Sequence, residues 1–346
     1  MTLGTQAPDA TPLTPAQRAW SQALKQAIAA RGGGRWIEAE TAGRKAVDLA
    51  RALPFPDGAN DLAASLNLLG TILQGLGRSV EAKAFYAEAL DWASEPRARV
   101  VAMANLGAAE RESGAFAEAE QHLAEALAVA RGGVLEELDG LLDKWARLLQ
   151  QTDREEAALE VFQERVRLTD PMATVPDGEI PAEPAKPSDA HLDALFHLAS
   201  AELECGAAGL AGGHFQELSE KMVLRGGARS LGRAQALTGL AWARQQAGQH
   251  AEAVVAAREA LEVREAILGK DHAELLTSRH NLAHVLLAAG KAREAEPLAR
   301  AVVESVSQMA VDDARRVAAV GVLVGVLEKT GRLREASTLK KQLSKS

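Results

Sequence analysis

The chain has 346 residues, 47% of them apolar, a formal charge of −8 and one cysteine. So apolar a composition excludes a chain disordered throughout, and interleaved charges with an acidic excess exclude the clustered Lys and Arg of a phosphate-backbone binder. The lone Cys205 excludes an intrachain disulfide and a cysteine-built zinc site, and is expected to pack as a small apolar residue.

Phe, Trp and Tyr make up only 3%, while Ala and Leu dominate. These are the apolar residues that favour helix most and let helices approach closely. An all-α protein is expected. Residues 1–14 open the chain with neither a basic start nor a continuous apolar stretch, so they are read as a flexible tail rather than a signal peptide.

From residue 15 onward one phrase recurs: Gly, three residues, Glu-Ala, then a helical run. Its alanine stands at Ala39, Ala82, Ala119, Ala157, Ala211, Ala253, Ala295 and Ala336, with successive spacings of 43, 37, 38, 54, 42, 42 and 41. Glutamate precedes seven of these eight alanines, and glycine stands five places before seven of them. The glycine ends one helix by entering the left-handed turn. The glutamate lies in the first turn of the next, where the helix dipole favours negative charge. The alanine is expected where two helices cross too closely for a larger side chain. Upstream, Leu69-Gly70, Leu106-Gly107, Leu240-Ala241 and Leu282-Ala283 pair a core residue with a second small contact, and Ala89, Ala126 and Ala260 mark a further close crossing. Residues 15–168 thus hold four units. The fourth is degenerate, because Lys144-Trp145 stands where a Leu-Gly pair belongs.

The 54-residue spacing contains Pro171, Pro176, Pro181, Pro184 and Pro187 within residues 169–190. Proline at that density cannot be helical, so an acidic, semi-rigid linker is expected there. Residues 191–346 then hold four more units, ending in a polar, basic "KKQLSKS". Their longest apolar run, residues 317–327, falls well short of the roughly 20 residues of a membrane-spanning helix. A cytoplasmic protein without membrane contact is expected, and the Ala-rich composition fits a bacterial source.

The spaced Gly, Glu and Ala positions resemble the tetratricopeptide repeat, with residues 63–96 and 100–131 as the clearest copies. More narrowly, the stretch from Ala260 to Val302 resembles the kinesin light chain subtype. It carries a Leu-Gly-x-x-His connector (Leu268, Gly269, His272), Asn281-Leu282-Ala283, and a Glu-Ala-Glu-Pro-Leu helix. Ala273 and Ala299 depart from the proline and aromatic residue of that subtype. The resemblance implies a right-handed α-solenoid of about eight helix-turn-helix units, in which the first helix of each unit lines a concave groove.

Carried over by position, the resemblance places Gln235, Thr238, Trp242 and Gln245 in that groove, followed by Thr277, His280, Asn281 and His284. Earlier units contribute Asn67 with Gln74, Asn105 with Arg111, and Phe196 with His197. Asn281 and Asn105 stand where family members hold a bound peptide's backbone with an amide, which donates and accepts at once. Two blander readings compete: the asparagines bond only to a neighbouring helix, and Trp242 is half-buried packing.

Catalytic patterns are not found. The Gly-Lys pairs at 269–270 and 290–291 lack phosphate-loop spacing, and "RGGGRW" at 31–36 falls at a repeat turn with no strand before it. The carboxylate pairs Glu155-Glu156 and Asp312-Asp313 read as exposed helix starts. His280 and His284 share a helix face, but no third and fourth ligand accompany them, so no metal is assigned. The expectation is a non-enzymatic scaffold without cofactor, binding another protein's peptide or helical segment. The alternatives are a peptide-responsive regulator that changes superhelical shape and self-association through the array edges.

Overall fold

Each Gly-x-x-x-Glu-Ala phrase folds as one helix end and one helix start. Gly77 takes φ 76°, its N–H donates to the Gln74 carbonyl, and the following Arg78 N–H donates to the Leu73 carbonyl at 2.9 Å. A left-handed residue closes the helix this way at little cost only when it has no Cβ. In this computed structural model the described residues are 13–54, 58–171, 186–269, 272, 274–310 and 312–343. They form sixteen α-helices and no strand.

The chain divides into two compact units, Met1–Arg154 and Glu155–Ser346. The first holds α1 (Pro15–Gly32), α2 (Trp36–Arg51), α3 (Ala59–Gly75), α4 (Ser79–Trp92), α5 (Pro96–Glu112), α6 (Phe116–Arg131) and α7 (Leu138–Gln151). The second holds α8 (Glu155–Thr169), α9 (Asp189–Glu204), α10 (Ala208–Gly226), α11 (Leu231–Gln246), α12 (His250–Leu268), α13 (Glu274–Ala288), α14 (Ala292–Ser305), α15 (Ala314–Lys329) and α16 (Leu333–Leu343). Of the expected tail, residues 1–12 lie outside the described residues, as do 172–185 of the expected linker and the last three residues of the basic end. Among the described residues, no helix is long and apolar enough to cross a membrane.

Within each unit, consecutive helices pack as antiparallel neighbours. Each odd-numbered helix also packs on the next odd-numbered one: α1 on α3, α3 on α5 and α5 on α7, then α9 on α11, α11 on α13 and α13 on α15. The odd-numbered helices therefore form a continuous layer in each unit.

The crossing alanines are fully buried: Ala39, Ala82, Ala119, Ala211, Ala253 and Ala295 at 0% and Ala336 at 1%. Their bulky complements sit one turn on. A Cβ on Gly70 of α3 would lie 2.5 Å from the Tyr86 ring, and one on Gly107 of α5 would lie 2.8 Å from Leu123.

The fourth repeat corrects the sequence register by one residue. Ala158, not Ala157, is the buried alanine. Five places before it, Asp153 takes φ 55°, and the Arg154 N–H closes onto the Leu149 carbonyl at 2.9 Å as Arg78 does onto Leu73. Aspartate thus fills the left-handed slot that glycine fills elsewhere, at a cost of about 1 kcal/mol. Counting back from Ala158 places Ala146, 0% exposed, at the small-residue position. Trp145 is its neighbour, and the repeat is less degenerate than Lys144-Trp145 suggested. Cys205 is a second correction: it caps the end of α9 and is exposed, because the helix-ending turn carries it out of the core.

Surface ion pairs tie successive repeats together at equivalent positions. Arg78 binds Glu40 of the preceding repeat at 2.8 Å and Glu81 of its own at 2.6 Å, and Arg44 also holds Glu40. Glu296, Arg300, Arg332 and Glu335 repeat the arrangement at the end of the chain. Being largely exposed, each pair contributes at most about 1 kcal/mol.

Candidate binding groove

In the second unit, the outward stripe of α11 and α13 brings five predicted residues together. The Trp242 and His284 rings lie 5.0 Å apart between centroids, tilted by 43°. Gln245, one turn after Trp242, donates from Nε2 to His284 Nδ1 at 3.4 Å, while its Oε1 is buried without a hydrogen-bond partner. Burial, and for His280 also the neighbouring His284, pushes both imidazole pKa values down. Both shifts, from an ordinary value of about 6.5, favour the neutral imidazole. Among the described residues, no group of three or more His, Cys, Asp or Glu could hold a metal ion.

Asn281 lines a recess with Thr238, Trp242, Arg264, Ser278 and Val285 that has room for about 10 Å³, the size of one water. Arg264 comes from α12 and was not anticipated from the repeat pattern. It passes between the two odd-numbered helices and donates 3.0 Å bonds to Thr238 Oγ1 and Ser278 Oγ. The Thr238 hydroxyl also donates to the Ala234 carbonyl at 2.8 Å, so it serves the framework rather than a ligand. Asn281 itself makes no hydrogen bond among the described residues. Gln235 and Thr277 are exposed on the rim.

The other predicted residues behave differently. In the first unit, Asn105 of α5 donates to Asn67 of α3 at 3.4 Å, and Asn67 is 6% exposed. At this pair the blander reading of a helix-to-helix bond holds. Gln74 accepts from the Tyr86 hydroxyl and donates to Glu112. Arg111 donates to Gln151 Oε1 at 3.1 Å. In the second unit, Phe196 packs edge-on against the Phe215 ring at 6.1 Å as part of a core cluster. His197 lies 3.0 Å from an Arg165 guanidinium nitrogen. At the last odd-numbered helix, a Cβ on Gly325 would lie 2.8 Å from Leu287, so this glycine admits the close approach of α13.

Two buried glutamates, each in contact with a histidine, were also missed. Glu110 and His122 meet at 2.7 Å in the third repeat, and Glu202 and His214 meet at 2.7 Å in the fifth. In each case the glutamate lies nine residues before the crossing alanine and the histidine three after it. The seventh and eighth repeats carry Leu286 with Leu298 and Leu327 with Leu339 at the same positions. Comparing repeats column by column would have exposed both pairs.

A family model described as tetratricopeptide repeat matches residues 18–95, 61–132 and 245–307, together just over half of the chain. A signal-transduction ATPase from Pyrococcus horikoshii with a tetratricopeptide repeat sensor is similar in structure, with TM-score 0.67 and 13% identity over 96% of this chain and 52% of that one. The apo form of RapI gives TM-score 0.66 and 12% identity over 94% and 85% of the two chains. Nearly identical TPR-like repeats of a Podosopora anserina chain described as a kinesin light chain align at TM-score 0.49 and 23% identity, over 59% of this chain and 91% of that one. No curated protein matches the sequence. At these identities the likenesses are likenesses of fold.

Proposed function

We propose that this chain, which belongs to the tetratricopeptide repeat family, is a non-enzymatic interaction scaffold that binds an extended peptide of another protein along α11 and α13. The observation that carries the reading is the set of uncommitted polar atoms beside a half-buried tryptophan. The Asn281 amide has no partner among the described residues, and Gln245 Oε1 is buried and unsatisfied. A peptide backbone supplies donors and acceptors in alternation, which suits these atoms. Trp242 adds a large contact area at low entropic cost.

The test uses a peptide selected by display against the full chain. Trp242→Ala combined with Asn281→Ala is expected to weaken its binding about tenfold or more, as loss of a hot-spot aromatic does. Equal affinity in a folded double variant would remove the groove from consideration. A peptide-responsive regulator uses the same groove and adds a change of shape, so solution scattering with and without that peptide separates the two readings.

A further inference from the structure

Several histidines of this chain are committed to a neighbour. His122 and His214 each meet a buried glutamate at 2.7 Å, and His197 lies 3.0 Å from an Arg165 guanidinium nitrogen. His280 and His284, both half-buried on α13, differ. Among the described residues His280 makes no hydrogen bond, and that of His284 is the 3.4 Å contact of its Nδ1 with Gln245.

The two rings stand four residues apart, so they lie one above the other on a single face of the helix. Burial lowers the pKa of both, and the charge of His284 lowers that of His280 further. Metal ligation needs the unprotonated nitrogen that this setting favours. A closed structural site takes four ligands, so a pair of imidazoles suits instead an ion whose remaining positions stay open. Imidazole also selects late first-row ions over magnesium or calcium.

A ligating histidine almost always donates its second ring N–H to an outer acceptor. Gln245 of α11 stands at that place. With its amide turned over, Oε1 takes the position of Nε2 and accepts from Nδ1–H of His284, which leaves Nε2 of the ring for the ion. The Trp242 ring, 5.0 Å from the His284 ring between centroids, walls the pair on the α11 side.

We propose that His280 and His284 bind a divalent nickel, copper or zinc ion on the outward stripe of α13, with Gln245 as the outer partner of His284. The site stands apart from peptide binding: it uses imidazole nitrogens rather than the Asn281 amide, and it is read with no peptide present.

The test is equilibrium dialysis of the full chain, free of any added histidine tag, against nickel chloride alone, with bound metal measured by atomic emission. Saturable uptake is expected, and magnesium chloride should give none. His280→Gln and His284→Gln should each weaken uptake about tenfold or more, because the second nitrogen binds at the high effective concentration that the helix sets. Gln245→Leu should cost about tenfold, as loss of an outer partner does. Asn281→Ala and the exposed His250→Gln should leave uptake unchanged. A second readout alters no histidine: copper sulfate should quench part of the tryptophan fluorescence in step with uptake, and Trp242→Phe should remove that part while the ion still binds. No saturable uptake by the wild type, uptake by either histidine variant equal to that of the wild type, or quenching that survives Trp242→Phe in full would overturn the assignment.

Discussion

Replacing His214 by leucine destabilises the protein by about 3–5 kcal/mol, because the substitution strands a buried carboxylate. Glu202 is 2% exposed, and its 2.7 Å contact with His214 Nδ1 is what makes that burial tolerable. The double variant Glu202→Leu/His214→Leu should recover most of the loss or exceed wild type, since the seventh and eighth repeats hold leucine at both positions. Pairing with Glu202 is the main cause that raises the His214 pKa. The stabilisation from that shift is therefore complete below the unfolded imidazole value of about 6.5 and fades as pH rises through the folded one. Urea titrations of wild type, single and double variants between pH 5 and 9 read both effects. A single variant as stable as the double one, or a wild-type advantage over the double variant that grows with pH above 7, would contradict this account.

Gly70→Ala carries the next largest cost, about 1–3 kcal/mol from overpacking. The added Cβ would lie 2.5, 2.8 and 2.9 Å from three atoms of the Tyr86 ring. That ring is 1% exposed, and its hydroxyl donates to Gln74 Oε1 at 3.1 Å, so it has nowhere to retreat. Gly213→Ala provides the contrast. Gly213 lies within α10, and a Cβ there would meet nothing within 4 Å. Removing a helical glycine then stabilises by about 0.5–1 kcal/mol. A denaturation midpoint that stays level or rises for Gly70→Ala would show that Gly70 does not mark a helix crossing.

The repeat was legible because one steric demand recurs at a fixed offset. Glycine at the left-handed turn and alanine at the crossing admit few substitutes, so the sequence displays them directly. The fourth repeat was misread by one residue where a different side chain met the same demand: Asp153 takes the glycine conformation. That slip hid Ala146, which is fully buried at the small-residue position. Of the residues singled out from the sequence, Trp242, Gln245, Asn281 and His284 do gather on α11 and α13, whereas several of the others are tied to neighbouring helices. Whether an asparagine faces a ligand or a neighbouring helix depends on where the next helix places its own amide, as Asn67 and Asn105 show. Arg264 escaped notice because it reaches the groove from an even-numbered helix, through a length of side chain that repeat positions do not encode.

The proposed groove is tested most directly by the tryptophan indole N–H signals in a nitrogen–proton correlation spectrum, recorded while the display-selected peptide is added. Trp20 Nε1–H already donates to Ser65 Oγ at 2.8 Å, whereas the Trp242 indole N–H has no such partner among the described residues. With Trp242 assigned through Trp242→Phe, its signal should move in step with binding while that of Trp20 stays in place. A saturated complex in which Trp242 is unmoved would contradict the account.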